Sequence, residues 1–173
     1  MELLNILALI FLGALVVYII NERRALYFPS THRIVDTIAE FAQIKEGDVA
    51  VDLGAGDGRV CIELAQRGAE CIGIERNPFL FWRATNKVAE SGIQNRITIV
   101  KQNLNDYDLS EATVVVAFLS QTTTYPLKDK VLKETRPGTR IILVDHRFED
   151  WEPEKMEIVQ RIPVRLYIVP EES

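Results

Sequence analysis

Apolar and polar positions divide this chain of 173 residues into two parts of different character. Residues 3–20 form one apolar run, LLNILALIFLGALVVYII, which is broken only by Asn5. Beyond Ser30, short apolar runs alternate with stretches whose apolar residues recur at the spacing of a helix. The pattern therefore predicts an apolar segment followed by one domain in which strands alternate with helices.

The alternating part contains seven runs typical of strands and four typical of helices. Strands are predicted at residues 48–53, 70–75, 96–103, 112–120 and 139–146, and a closing hairpin at 155–162 and 164–170. Helices are predicted at 29–48, 58–68, 77–92 and 126–138, with Ser30 or Thr31 capping the first and Asn77 the third. The first five strands are continuous apolar runs, which favours a parallel sheet covered on both faces. In such sheets, ligands bind at the carboxyl ends of the strands.

The apolar run at residues 3–20 has the length of a membrane span. A helix of this length extends about 27 Å, close to the roughly 30 Å hydrocarbon core of a bilayer. A cleaved signal peptide would carry a basic start and a small-residue cleavage site, and neither is evident. Arg23 and Arg24 follow the run, so the positive-inside rule places the domain on the cytoplasmic side. We expect a single-pass transmembrane anchor at residues 1–22, a juxtamembrane linker at 23–29 and one domain at 30–173.

Charge and composition exclude several classes of protein. The formal net charge of −5 belongs to residues 30–173, and no run rich in Lys or Arg is present. A nucleic-acid partner is therefore not expected. The two cysteines, Cys61 and Cys71, lie among apolar residues and predict buried, reduced thiols. We expect no metal, because the chain shows no cluster of metal ligands.

The stretch VDLGAGDGRV, residues 51–60, predicts a tight turn between a strand and a helix. Its glycines follow a GxGxG spacing, whereas dinucleotide-binding turns use GxGxxG and phosphate-binding loops end in GK[ST]. Asp57 lies where a pyrophosphate would rest, and a fixed carboxylate repels phosphate but attracts an ammonium or sulfonium group. The turn therefore favours a neutral or cationic ligand.

Two further polar residues follow strands and indicate that the ligand contains a nucleoside. Glu75 ends the second strand, where a carboxylate can accept both hydroxyls of a ribose. Asn103 follows the third strand and is placed to bond the edge of an adenine. A nucleoside joined to a cationic amino acid is S-adenosylmethionine, which we expect as the cofactor.

VDLGAGDGR followed by GIE resembles motif I and its acidic partner in the seven-stranded class I methyltransferases. The blocks YFPSTHRIVDTIAEFAQIKEGD, QNLNDYDLSEATVVVAFLS and LKETRPGTRIILVDHRFEDW resemble archaeal protein-lysine methyltransferases. They also resemble the membrane-anchored mitochondrial enzymes that methylate lysines of ATP synthase and of the adenine nucleotide carrier. The resemblance covers residues 27–169. It implies an α/β fold, Rossmann-like and doubly wound, with a mostly parallel seven-stranded sheet that ends in an antiparallel hairpin after one N-terminal transmembrane helix.

The resemblance also implies a set of cofactor contacts. The methionine end of S-adenosylmethionine would be lined by the glycine turn and the residue before it, namely Asp52, Gly54, Ala55, Gly56 and Asp57. Glu75 would hold the ribose, with Arg76 and Asn77 nearby, and Asn103 would face the adenine, with Leu104 beside it. Tyr27 and Thr31 match a Tyr-x-Pro-Thr/Ser element that closes over the cofactor, although Tyr27 also fits an aromatic residue at a membrane interface.

The acceptor is expected to meet residues that follow the fourth and fifth strands. Methyltransferases of amino-adenine or glutamine carry Asp/Asn-Pro-Pro-Tyr after the fourth strand, whereas this chain has FLSQTTTYP. The candidates for the wall of an acceptor channel are Phe118, Leu119, Ser120, Gln121, Asp145 and His146. No essential general base is expected, because the sulfonium leaves readily and an apolar channel lowers the pKa of a lysine.

The helix after Glu75 opens with four consecutive large apolar residues, Phe79, Leu80, Phe81 and Trp82. One helical face cannot bury all four. Two interpretations stay open: most of the cluster packs on the sheet or over the cofactor, or part of it enters the membrane interface.

The expected function is that of a membrane-tethered methyltransferase that transfers a methyl group from S-adenosylmethionine to a lysine of a protein. A lipid or another membrane-soluble small molecule is the alternative acceptor, and a non-catalytic S-adenosylmethionine-binding scaffold is the alternative outside enzymes. The expected partners are a membrane, reached through residues 3–20, and a protein with an accessible lysine, with membrane proteins among the candidates. The domain would face the cytoplasm, or the matrix if the protein is mitochondrial.

Overall fold

Helices and strands alternate along this computed structural model, which describes residues 10–13 and 30–171. Between residues 30 and 171 the helices are α1 (His32–Ala42), α2 (Arg59–Gln66), α3 (Pro78–Glu90) and α4 (Gln121–Glu134). The strands are β1 (Val49–Leu53), β2 (Glu70–Ile74), β3 (Ile97–Val100), β4 (Val114–Ala117), β5 (Arg140–Val144), β6 (Lys155–Val159) and β7 (Ile162–Ile168). Two short 3₁₀ helices lie at Gln94–Arg96 and Leu104–Asp106.

The predicted seven-stranded sheet is confirmed. Its strand order is β3-β2-β1-β4-β5-β7-β6. The first five strands are parallel, and β7 runs antiparallel to both β5 and β6. The order reverses between β1 and β4, so a crevice opens at the carboxyl ends of these two neighbours.

Core side chains cover both faces of the sheet, as the apolar strands predict. In β5, Ile142 and Val144 join a buried cluster with residues of α1 and α2. Ile141 and Leu143 of the same strand point the other way, into a second cluster that contains Tyr167 and residues of α4. β5 therefore supplies both layers, which is why its sequence shows no polar alternation.

Several predicted boundaries were wrong. The first helix ends at Ala42 rather than at Asp48, because Gln43 adopts the left-handed conformation with φ 44°. The third and fourth strands are shorter than predicted, at Ile97–Val100 and Val114–Ala117. The helix α4 begins at Gln121 rather than at Pro126, because the carbonyl of Ser120 accepts the amides of residues 123 and 124 and closes a turn earlier. The turn of the closing hairpin lies at Gln160 and Arg161, whose φ angles are 52° and 71°. Two successive positive φ angles are typical of a type I′ turn, and Pro163 therefore lies within β7.

β6 ends the sheet, and only one of its faces is covered. On the covered face, Val159 is buried and the Lys155 amine lies 4.5 Å from the ring centre of Phe41 in α1. On the other face, Met156 and Ile158 are exposed. The connection from β5 to β6 forms no helix, so the second layer stops short of this edge.

The predicted anchor lies largely outside the described residues, as does Tyr27. Residues 10–13 of the apolar run are helical and exposed. Within the described residues, no helix is both long enough and apolar enough to span a bilayer. The anchor, the linker and the boundaries given to them stay predictions.

Arg140, at the start of β5, fastens the end of α1 to the sheet. Its guanidinium donates to the carbonyl oxygens of Ala42 and Gln43, at 2.5 and 2.8 Å, and to the carboxylate of Asp48, at 2.5 Å. Burial alone would raise the pKa of Asp48. Hydrogen bonds from a backbone amide, from the Thr113 hydroxyl and from Arg140, together with the Arg140 charge, outweigh burial and hold that pKa below its usual value.

Replacing Arg140 by alanine should lower the free energy of unfolding by about 3–5 kcal/mol, because a buried carboxylate loses its cation. Urea unfolding at neutral pH measures this loss. The difference in unfolding free energy between the parent and Arg140→Ala should shrink below about pH 4. The Asp48 carboxylate, whose pKa is lowered in the fold, stabilises the protein only while it is ionised. Arg136→Ala is the matched control, because its ion pair with Glu111 is exposed and should be worth under about 1 kcal/mol. Equal losses in the two variants would contradict the prediction.

Candidate cofactor and acceptor site

A cavity of about 680 Å³ opens at the carboxyl edge of the sheet, where the predicted site residues follow their strands. This volume lies within the usual range for small-molecule sites. The predicted cofactor residues that line it are Asp52, Gly54, Ala55, Gly56, Asp57, Glu75, Arg76, Asn103 and Leu104. The predicted acceptor residues that line it are Phe118, Leu119, Ser120, Asp145 and His146.

Three predicted site residues lie outside the cavity wall. Gln121 is exposed at the first position of α4, because the helix starts there. The side chain of Asn77 caps α3 by accepting the amides of Phe79 and Leu80, as its position predicted. The hydroxyl of Thr31 donates to Gln160 in the hairpin turn, at 2.6 Å, and forms no cap on α1.

The glycine turn is held against the end of β2 by its own backbone. The amides of Gly54 and Ala55 both donate to the carbonyl of Ile74, at 2.8 and 3.0 Å. Gly54 has φ 84°, and a Cβ there would lie 2.8 Å from a methyl carbon of Leu119. Both the conformation and the space exclude a side chain. At Gly54 the turn therefore presents bare backbone to the cavity.

Glu75 joins the glycine turn to α3. One of its carboxylate oxygens accepts the amide of Gly56 at 3.0 Å, and the other accepts the amide of Asn77 at 2.8 Å. An ionised carboxylate has about four acceptor positions. Two of them are used by these amides, so the buried group can still accept the two hydroxyls of a ribose.

Asp52 places a second buried carboxylate in the cavity wall. Its pKa is raised to about 7, first by burial and then by the negative charges of Glu75 and Asp57. The Cys61 thiol, 3.8 Å from the carboxylate, donates a weak hydrogen bond that opposes the rise only in part. A cation bound in the cavity would relieve the repulsion, so the group suits the ammonium of an amino acid.

Asp57 faces the protein's own cations. Its carboxylate lies 2.7 Å from Arg59 of α2, and 2.9 and 3.8 Å from Lys87 and Arg83 of α3. Burial alone would raise the pKa of Asp57, but the hydrogen bonds and charges of Arg59 and Lys87 hold it far below its usual range. The expected contact of Asp57 with a sulfonium stays a prediction. In this structure, Asp57 links the glycine turn to α2 and α3 through its ion pairs.

Hydroxyl groups line the cavity where β4 meets α4. The Ser120 hydroxyl lies 3.0 Å from that of Thr122 and 2.9 Å from that of Thr123, and all three residues line the cavity. The two threonines were not predicted as site residues, because the sequence pattern indicates no helix before Pro126. Ser30 and Arg59 also line the cavity, and the Arg59 guanidinium donates to the Ser30 carbonyl at 2.6 Å.

Asp145 turns the chain sharply into the cavity wall after β5. It has φ 74°, and its amide donates to the carbonyl of Pro163 at 2.8 Å. The guanidinium of Arg165 donates to the carbonyls of both Asp145 and His146, at 3.0 Å each. The His146 ring lies 3.7 Å from the Asp145 carboxylate. These bonds hold the backbone of both residues, which line the same cavity as the hydroxyl cluster.

The cavity as a whole fits S-adenosylmethionine. In the cavity wall, Glu75 would accept ribose hydroxyls, Asp52 would face an ammonium, and Asn103 and Leu104 would offer a polar and an apolar contact for an adenine. The Oδ1 of Asn103 accepts the amide of Asn105, so its amide nitrogen is the group left for the base. Among the described residues, no group of three or more metal-binding side chains could hold a metal ion.

Comparison with known families decides the identity of the fold and its chemistry. Residues 52–155 match the ANTKMT methyltransferase domain. The chain belongs to this family. It is an S-adenosylmethionine-dependent methyltransferase, and the resemblance found in its sequence is confirmed.

Three relatives show how far this methyltransferase resembles known members. A protein-lysine N-methyltransferase of Saccharolobus islandicus is 33% identical over 84% of this chain and 94% of its own. A lysine N-methyltransferase of ATP synthase from Rattus norvegicus is 28% identical over 74% of this chain, which spans only 59% of the rat protein. The crystal structure of an RNA methyltransferase from Salinibacter ruber, in complex with S-adenosyl-L-homocysteine, has a TM-score of 0.79 and 32% identity, covering 84% of this chain and 96% of its own.

Proposed function

We propose that this methyltransferase acts on the side-chain amine of a lysine in a protein. The observation that carries the proposal is the likeness to the archaeal protein-lysine N-methyltransferase over nearly the whole length of that protein. Relatives named for lysines of ATP synthase and of adenine nucleotide translocase support the same acceptor chemistry.

Bound S-adenosylmethionine supplies a methyl group whose bond to sulfur breaks as the lysine nitrogen attacks it, the electron pair passing to the sulfur. The lysine must first lose a proton, which costs about 4.6 kcal/mol at pH 7 for an ordinary pKa near 10.4. Phe118 and Leu119 give the acceptor side of the cavity an apolar wall, and desolvation there favours the neutral amine. We infer that the proton leaves to water past the Ser120 hydroxyl cluster and Asp145, which line the same cavity.

Incubating the purified full-length chain with methyl-labelled cofactor and a host extract tests the acceptor. We expect label in the protein fraction, recovered as methyllysine after acid hydrolysis. A matched reaction with Glu75→Ala should remain unlabelled. Label confined to RNA, the acceptor class for which the Salinibacter ruber enzyme is named, or to lipid would overturn the proposal. RNA is disfavoured by the net charge of −5 and the lack of a Lys/Arg-rich run.

We also propose that residues 3–20 tether the domain to a membrane, with the domain on the cytoplasmic or matrix side. The length and apolar content of the run support this. Introducing Leu9→Arg with Leu12→Arg should release the protein into the soluble fraction on carbonate extraction, because each arginine at the centre of a span costs about 2.5–3.5 kcal/mol. Retention of the double variant in the pellet, or release of the unmodified chain, would exclude the tether.

Neither Asp145 nor His146 should behave as an essential general base. Asp145→Asn and His146→Ala should each keep kcat within about tenfold of the parent, since proton transfer through a positioned side chain contributes about 10²–10⁴-fold where it is required. Steady-state kinetics with a soluble lysine acceptor measures this. A loss near the upper end of that range, with cofactor affinity unchanged, would instead make the residue catalytic.

A further inference from the structure

Two aromatic side chains project from the first turns of α3 into solvent. Phe79 is 64% exposed and Trp82 is 60% exposed. Their ring centres lie 6.3 Å apart, as expected for neighbours three residues apart on one helical face. Leu80, between them in sequence, instead lines the cofactor cavity. The exposed pair therefore lies beside the cavity.

Basic residues share the surface of α3 with this aromatic pair. Residues 76–89 contain Arg76, Arg83 and Lys87 and no aspartate or glutamate, in a chain whose net charge is −5. One exposed carboxylate, Glu90, lines the same surface pocket as Trp82, Arg83 and Lys87. Arg83 and Lys87 contact the carboxylate of Asp57, which is only 1% exposed, while both cations remain close to half exposed. The surface thus shows cations and aromatic rings together, and the carboxylate beneath them stays hidden.

The described part of the domain begins close to the same surface. The carbonyl of Ser30, the first described residue of the domain, accepts Arg59 at 2.6 Å. Arg59 pairs with Asp57, and Asp57 pairs with Lys87 of α3. Nine residues lie between the apolar run and Ser30, and the ten chain steps from Ile20 to Ser30 reach at most about 36 Å when fully extended. A bilayer that held the run would lie within reach of α3.

We propose that Phe79 and Trp82 insert into the headgroup layer of an anionic bilayer, with Arg76, Arg83 and Lys87 against the lipid phosphates. Aromatic residues favour that layer, and basic residues flanking an apolar face favour anionic lipid. The mouth of the cavity then faces the membrane surface, and the preferred acceptor lysines are those just outside a bilayer. The inference rests on the proposed tether and not on lysine as the acceptor.

Fluorescence quenching of Trp82 in the full-length chain tests the insertion. Trp151→Phe leaves Trp82 as the only tryptophan, and the protein is reconstituted in liposomes of phosphatidylcholine with phosphatidylglycerol. We expect a blue-shifted emission that headgroup-level spin labels quench more strongly than labels at the bilayer centre. Phe79→Ser, or phosphatidylcholine alone, should reduce both effects. If Trp151→Phe lowers the melting temperature greatly, the difference between the parent and Trp82→Phe gives the same signal.

A reporter at the opposite edge of the sheet is the matched control. Leu132, exposed near the end of α4, is replaced by Trp in a chain that carries Trp82→Phe and Trp151→Phe. This tryptophan should stay unquenched. Equal quenching of both reporters would overturn the inference, because the domain would then adhere without orientation. An unquenched Trp82 in liposome-bound protein would also overturn it, as would a blue shift that requires an added acceptor protein. Lysine methylation of a soluble acceptor would be unaffected by either result.

Discussion

Glu75→Ala should weaken the binding of S-adenosylhomocysteine by about a hundredfold or more. The substitution removes the expected acceptor for both ribose hydroxyls, and hydrogen bonds to a charged group contribute about 1.5–3 kcal/mol each. It also frees the amides of Gly56 and Asn77, whose bonds to the carboxylate hold the turn and the start of α3 in place. The loss should therefore exceed that of the ribose contacts alone.

Isothermal titration calorimetry measures this loss, and a thermal melt checks that the variant still folds. Glu70→Ala is the matched control, because Glu70 is an exposed carboxylate at the other end of the same strand. It should bind the ligand as the parent does. Gly56→Val should also abolish binding, since Gly56 has φ 58° and a β-branched residue there is strained. An unchanged affinity in Glu75→Ala would remove the basis for the ribose assignment.

Cofactor affinity should rise about tenfold per pH unit from pH 5 and less steeply as pH 7 is approached, in step with the ionisation of Asp52. The pKa of Asp52 is raised to about 7, chiefly by burial and then by neighbouring carboxylates, so the group is mostly protonated at pH 5. A bound ammonium favours the ionised form and lowers this pKa, and binding therefore releases a proton below pH 7. The range stops at pH 7 because α-amino groups begin to lose their own proton near pH 8.

Calorimetry in buffers of different ionisation enthalpy detects the released proton directly. Asp52→Asn should bind weakly and with no pH dependence over this range. His146→Ala should keep the slope of the parent, which separates Asp52 from the histidine in the same cavity. A flat profile in the parent, or a slope that His146→Ala removes, would rule out Asp52 as the group that faces the ammonium.

The sheet and the glycine turn could be predicted because their signals are local. Apolar runs of strand length and the GxGxG spacing each lie within ten residues, and the structure has β1 and the turn where they indicate. Gly73 carried no such signal. Gly73 lies inside β2, and no larger residue fits at this position. A Cβ there would lie 2.8 Å from side-chain carbons of Ala55 in the glycine turn and Ile99 in β3.

The parts of the site that could not be predicted depend on contacts between distant residues. Asp57 has the pattern of a carboxylate facing a cationic ligand, but its partner Lys87 is thirty positions away on another helix. The start of α4 was missed because Pro126 usually marks a helix beginning and here lies inside one. The left-handed backbone conformation of Asp145 depends on hydrogen bonds to Pro163 and Arg165, which lie in a later strand. No local sequence pattern could therefore predict it.

The uncovered face of β6 bears on how this domain behaves at high concentration. A terminal strand offers unpaired amide and carbonyl groups to any other chain, and exposed apolar side chains make such an edge prone to aggregation. Met156 and Ile158 provide that apolar surface. The charged residues Lys155 and Glu157, which oppose aggregation, lie on the other face of the strand and leave the apolar face unprotected. We therefore expect this strand to limit the solubility of the domain, and Ile158→Lys to raise it without reaching the cofactor cavity.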